Sequence, residues 1–286
     1  MIKTNKRITG SSVAESAFRV HETSQSLDVA KVFDVLRGDL AAYHVIGFVP
    51  PDACRRIADN FWASTEKVPR AGDGDDGVEG YLIGASHYGK PTLQYLEEAS
   101  GFENALKNVY AGTINPGLIF KDALRSRDGK PINVRPARLN GLSAGDSKAV
   151  HWTGSGHFLL EPHDDLAQLR GPEQRDFEIQ QADRVLAVNI YAEVPSNSGQ
   201  VQLWNIEPDD ETRADLDLTY VGFPYPAELL TEYPSMIIPV ETGDLCVFNG
   251  NLVHAVLRGN TTSPKKRLLI TFFMAFNHDH ELIWWT

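Results

Sequence analysis

Apolar positions recur at helical spacing in the first third of the chain and in short strand-like runs afterwards. Val29, Val32, Phe33 and Leu36 fall at i, i+3, i+4 and i+7 and form one apolar stripe. Ser26 is the expected N-cap of a helix from Leu27 to about Arg37. The run His44-Val45-Ile46-Gly47-Phe48-Val49 predicts a short buried strand, stopped by Pro50-Pro51. From Asp52, the spacing of Ile57, Phe61 and Trp62 predicts a second helix, and amphipathic segments follow at Leu93–Tyr110 and Leu118–Arg125. Residues 71–80, AGDGDDGVEG, predict a polar loop.

From Pro136 the pattern changes. Strands are expected at Arg138–Leu142, Val185–Val194, Gln200–Trp204, Met236–Val240, Leu245–Phe248, Leu252–Leu257 and Leu268–Phe276. Short strands without regular intervening helices argue for an antiparallel sandwich or jelly roll, not a parallel sheet. No internal repeat or long linker divides the chain. The expectation is one domain over 1–286, mainly β with flanking helices (α+β): helix-rich support over 1–135 and a β core over 136–286.

Composition narrows the function. With 286 residues, 42% hydrophobic and 23% charged, the chain can bury a sizeable core. The 27 Lys+Arg against 38 Asp+Glu leave a net charge of −11, which disfavours nucleic acid and anionic membrane surfaces as partners. Lys265-Lys266-Arg267 is the main basic run. Two cysteines, Cys54 and Cys246, cannot build a disulfide framework or a thiolate zinc site. MIKTNKRITG leads into no apolar stretch, and no run reaches the ~18 apolar residues of a spanning helix. A cytoplasmic location is expected.

The chemistry concentrates in Glu161-Pro162-His163-Asp164-Asp165-Leu166. On a strand, residues i and i+2 share a face, so His163 and Asp165 can address one ion while Asp164 points away. A third candidate ligand, His254, follows the turn-and-strand segment Gly243-Asp244-Leu245-Cys246-Val247-Phe248-Asn249-Gly250. Two histidines and one carboxylate with open opposite positions form the facial triad of non-haem Fe(II) oxygenases. Arg267 then opens the run Leu268–Phe273, sharing a face with Leu269 and Thr271. A guanidinium there can grip the distal carboxylate of a 2-oxo acid in a bidentate fork, with the Thr271 hydroxyl beside it.

Other signals carry less. His278-Asp279-His280 has ligand types at i and i+2 but fits a surface turn. His151 and His157 flank WTGSG and fit structural roles better than ligation. Asp73, Asp75 and Asp76 lack the ordered spacing of a calcium loop. Gly154-Ser155-Gly156 is no nucleophile elbow, and no phosphate-binding glycine motif occurs. Asn189 and Tyr191 share a face and can touch co-substrate or substrate, or simply pack. Trp152, Phe158 and Trp204 can line a pocket or the core.

These residues in this order resemble the Fe(II)/2-oxoglutarate-dependent oxygenases. Within them the chain is similar to the bacterial indole-alkaloid halogenases of the welwitindolinone and ambiguine pathways, and to their hydroxylase relatives. The resemblance is clearest in Val194-Pro195 with Gly199, in ETGDLCVFNG with His254, and in the closing FFMAFNHDHELIWWT. It implies a double-stranded β-helix, Fe(II) held by His163, Asp165 and His254, 2-oxoglutarate held by Arg267, and dioxygen as second co-substrate. In the halogenases the position matching Asp165 is a glycine, and the vacated iron site accepts chloride. The carboxylate kept here implies hydroxylation of an unactivated C–H bond of a natural-product-like small molecule, in a biosynthetic pathway. A desaturase or halogenase on the same scaffold, or a β-helix binding module without catalysis, are the alternatives.

Overall fold

Alternate residues of the strand Leu268–Phe276 serve two different layers. In the computed structural model, which describes residues 7–70, 79–127, 129–154, 156–259 and 266–286, Leu268, Ile270, Phe272 and Met274 join a core cluster with Phe33, Ile57, Phe61 and Phe120 from the helices. Leu269 turns the other way, into a cluster with Val201, Leu203 and Ile238 of a second sheet. Each large apolar side chain so buried contributes about 1.5–3 kcal/mol, against about 1 kcal/mol net for a ladder hydrogen bond. The two-faced apolar run therefore fixes the register, since a one-residue slip would exchange the layers.

The larger sheet has ten strands among the described residues. Its main path runs Val20–Ser24, Ala42–Ile46, Leu245–Asn249, Leu186–Glu193, Leu268–Phe276, Lys148–Trp152, Gly80–Ile83 and Val68–Pro69. Leu282–Trp285 pairs alongside Leu268–Phe276 and carries Val134–Pro136. The facing sheet runs Phe158–His163, His254–Leu257, Val201–Trp204 and Ser235–Ile238. Pairing is antiparallel along both paths apart from Val20–Ser24 with Ala42–Ile46. The result is a jelly roll whose outer side is covered by the helices Val29–Arg37, Pro51–Ala63, Glu103–Val109 and Pro116–Ala123.

The expected strands after residue 136 are present with boundaries moved by a few residues. Arg138–Leu142 is instead a tight hairpin of two short strands, turning at Asn140 and Gly141 with φ of 51° and 83°. The first helix begins at Val29 because Asp28, not Ser26, caps it: the Asp28 carboxylate accepts from the Ala30 N–H. Leu93–Tyr110 is two helices, Thr92–Gly101 and Glu103–Val109. The N-terminal third, expected to support the core from outside, also supplies strands Val20–Ser24, Ala42–Ile46 and Gly80–Ile83 to the larger sheet. Asp73, Asp75 and Asp76 lie outside the described residues. Among the described residues no helix is long and apolar enough to cross a membrane.

Candidate active site

His163 ends its strand directly opposite His254, the first residue of its own, so the pairing of two neighbouring strands brings the two imidazoles together with ring centroids 4.1 Å apart. Asp165 lies just past the strand end, and not on the strand as the parity argument supposes. Its backbone N–H donates to the Gly250 carbonyl at 2.8 Å, which turns the carboxylate back toward the histidines. Asp165 Oδ1 is 3.8 Å from His163 Nε2 and Oδ2 is 3.5 Å from His254 Nε2. One ligand atom from each of the three residues fits within 4.8 Å of the others. All three side chains are buried.

The hydrogen bonds around the triad set its chemistry. His163 Nδ1 bonds the Glu161 carbonyl and His254 Nδ1 bonds the Leu252 carbonyl, each at 2.8 Å. A carbonyl only accepts, so each Nδ1 carries the proton and each Nε2 presents its lone pair inward. Burial, with the neighbouring His254 charge second, lowers His163 to about 4, and burial lowers His254 to about 4. Both rings are thus neutral, as ligation requires. Burial pushes Asp165 up to about 7, and its Oδ2 is buried without a hydrogen-bond partner among the described residues. A lone buried carboxylate facing two neutral acceptors is costly as it stands and fits a divalent cation in their midst.

Asp164 points away from the triad, as expected. Completely buried, it accepts from Arg213 Nη2 at 3.1 Å, the Tyr225 hydroxyl at 2.7 Å and the Ala167 N–H at 2.9 Å. These partners hold the turn that follows His163.

Arg267, immediately before its strand, is 3% exposed, and among the described residues none of its three guanidinium nitrogens has a hydrogen-bond partner. Its Cζ lies over the Trp152 ring, 4.2 Å from the centroid. The His151 Nδ1 bonds its backbone carbonyl at 2.8 Å, which gives that histidine a positioning part and not a ligand's. A Cβ on Gly199, whose φ is +70°, would stand 2.7 Å from Arg267 Nε. A buried, unpartnered guanidinium in a cradle that glycine keeps open fits a carboxylate. Next to it, Thr271 Oγ1 donates to Asn189 Oδ1 at 2.8 Å across paired positions of adjacent strands. Tyr191, one pleat along, brings its ring within 5.7 Å of Arg267.

The remaining signals fall away from this centre. His278, Asp279 and His280 form an exposed turn. Phe158 and Trp204 contact each other in a separate apolar cluster. Sequence reasoning missed Gly250, Arg213 and Tyr225, which touch the motif residues only through the fold.

Residues 17–286 match the sequence model of the carrier-protein-independent halogenase WelO5 family. An L-isoleucine 3(1)-dioxygenase from Pantoea ananatis (strain AJ13355) is 27% identical over 252 residues, 85% of this chain and 83% of that protein. Among solved structures, an N-substituted L-amino acid dioxygenase from Burkholderia ambifaria AMMD shares the fold with a TM-score of 0.53 at 14% identity, covering 90% of this chain and 91% of its own. The same enzyme in complex with α-ketoglutarate gives 0.51 at 14% identity, with the same coverage.

Proposed function

Because the chain belongs to the carrier-protein-independent halogenase WelO5 family yet carries a carboxylate between its two histidines, we propose that it is a hydroxylase and not a halogenase. It is an Fe(II)/2-oxoglutarate-dependent oxygenase. It inserts oxygen into an unactivated C–H bond of a small molecule, with succinate and CO2 as co-products. The observation that carries it is the buried, unpartnered Oδ2 of Asp165, 3.5 Å from His254 Nε2.

In this reading His163 and His254 offer Nε2 to the metal, their Nδ1 protons tied to backbone carbonyls, and Asp165 offers a carboxylate oxygen. Arg267 takes the distal carboxylate of 2-oxoglutarate in a two-pronged grip, with Thr271 and its partner Asn189 fixing the approach. When bound, Fe(II) with 2-oxoglutarate and dioxygen supplies the oxidising power that removes a substrate hydrogen and returns a hydroxyl group. The chain's own share is orientation: the triad would hold the metal and the buried Arg267 the far carboxylate, so the co-substrate would be held at both ends. A carboxylate at position 165 fills the coordination place that a halide needs.

Anaerobic addition of Fe(II) and 2-oxoglutarate to the metal-free protein should give a visible charge-transfer band, and turnover under labelled dioxygen should give a product one labelled oxygen heavier. Asp165→Ala should abolish that product while the fold is retained. Full hydroxylation by Asp165→Ala, or a chlorinated product from the unaltered protein in chloride, would overturn the reading.

A further inference from the structure

One cation inside the jelly roll takes no part in the roles assigned above. Lys148 opens the strand Lys148–Trp152 and pairs with Thr271, which in turn pairs with Asn189. Paired residues share a face, so Lys148 stands in the same inward row as the two co-substrate contacts. Its ammonium is 5.6 Å from the centroid of the Phe273 ring and donates to Ser86 Oγ at 3.2 Å. Among the described residues no carboxylate lies within ion-pair distance of it, although Asp165 is near enough for its charge to be felt. Lys148 is half-buried, and among the described residues its ammonium has the Ser86 hydroxyl as acceptor, which leaves two of its three donors open to a ligand; desolvation, with Arg70 next, pushes its pKa down to about 8.

A second group with open hydrogen-bonding capacity shares the Phe273 ring. His87 is 1% exposed, and its backbone N–H and Nδ1 both engage the Thr286 carbonyl, at 2.7 and 3.1 Å. Its Nε2 is buried without a partner among the described residues, and the ring centroids of Phe273 and Trp285 stand 6.0 and 6.4 Å from that of the imidazole. Since Nδ1 donates to that carbonyl, Nε2 is an acceptor awaiting a donor. A cation short of an anion and an acceptor short of a donor therefore flank one aromatic ring.

2-Oxoglutarate leaves no anionic end for Lys148 to hold: in the reading above its keto-acid end belongs at the metal and its distal carboxylate at Arg267. We propose that Lys148 Nζ and Ser86 Oγ anchor a carboxylate of the substrate, while His87 Nε2 accepts a hydrogen bond from an adjacent N–H. The substrate class is then a small carboxylic acid with a neighbouring amino group, that is, an amino acid or a close derivative. This rests on the oxygenase reading, and the test keeps the two apart.

The Fe(II) and 2-oxoglutarate band is recorded first, because its absence from the unaltered protein sinks the oxygenase reading itself. Calorimetric titration of the Mn(II)- and 2-oxoglutarate-loaded protein, which does not turn over, then uses the proteinogenic L-amino acids and their carboxamides as probes. At least one acid should bind, about tenfold or more tighter than its amide, as expected for a charged hydrogen bond. Lys148→Met should weaken that acid by about tenfold or more while leaving the amide and 2-oxoglutarate unchanged. Lys148→Gln serves the same purpose if the Met variant does not fold. No acid binding while the band is intact, acid binding indifferent to Lys148, or an equal loss of 2-oxoglutarate affinity would each overturn the proposal.

Discussion

Gly250 stands so close to Asp165 that a Cβ on it would fall 2.5 Å from Oδ2 and 3.2 Å from the Asp165 Cβ. The same glycine accepts the Asp165 N–H through its carbonyl. It thus both turns the carboxylate toward the histidines and leaves the space that the carboxylate occupies. Gly250→Ala should rotate Asp165 out of line with His163 and His254. The expected result is about a 10–100-fold loss of metal affinity, as when ligand-orienting contacts are removed elsewhere. Metal titration checks this, with circular dichroism confirming the fold. Unchanged affinity would mean that Asp165 does not need this geometry.

Gly199 serves Arg267 in a comparable way. Alanine there would meet the guanidinium Nε at 2.7 Å and would hold a φ of +70°, costing about 1–2 kcal/mol of backbone strain. The arginine must move, so Gly199→Ala should raise the 2-oxoglutarate concentration needed for half-occupancy by about tenfold. Arg267→Leu should raise it further by removing both prongs of the grip. Arg267→Lys should not restore it, because a point charge cannot replace a planar fork. The charge-transfer titration reads all three.

The sequence made the ligand types legible, but not the space around them. His163, Asp165, His254 and Arg267 stand out because such residues in strand-forming surroundings are unusual, and each pairs with a recognisable turn or strand signal. Gly250 and Gly199 were not legible, because a missing Cβ has meaning only beside a residue far along the chain. The strand Lys148–Trp152 escaped because Lys148 and His151 interrupt its apolar pattern. Strand parity placed Asp165 on the correct side for an incomplete reason: a hydrogen bond to Gly250 beyond the strand end, not the pleat, aims it.

His44 gives a pH dependence whose sign can be worked out. It is 3% exposed, with Nε2 2.9 Å from Asp244 and Nδ1 3.1 Å from Glu22. Burial alone would lower its pKa, but the hydrogen bonds to Asp244 and Glu22 outweigh burial and raise it above 6.5. Asp244 is also penalised by burial, yet bonds from His44, Gly47 and Glu241 hold it below 3.8. The charged histidine therefore stabilises the fold fully below pH 6.5, and this contribution is lost as pH rises through the raised value. Asp244 contributes above pH 3.8 and fails as pH falls through its lowered value. Compared with His44→Asn, the unaltered protein should show an advantage of about 1–3 kcal/mol near pH 5 that shrinks above neutrality. Denaturant unfolding across that range decides it, and a pH-independent difference would remove His44 from this role.

Arg213 and Asp164 form a buried ion pair behind the turn that follows His163, with Arg213 5% exposed and Asp164 not exposed at all. Removing one partner strands the other charge in a medium that cannot solvate it, so Arg213→Met should destabilise the protein by about 3–5 kcal/mol. Asp164 also accepts from Tyr225 and from the Ala167 backbone, bonds that keep the residues after His163 in place. The variant should therefore lose metal affinity as well as stability. The double variant Arg213→Met with Asp164→Asn removes both charges and should recover part of the stability, since the penalty comes from the unpaired carboxylate more than from the lost attraction. Unfolding free energies of the four forms, measured with and without metal, separate the contributions. If the double variant is as unstable as the sum of the two single ones, the pair is not coupled and packing around the Arg213 stem, not its charge, holds the turn.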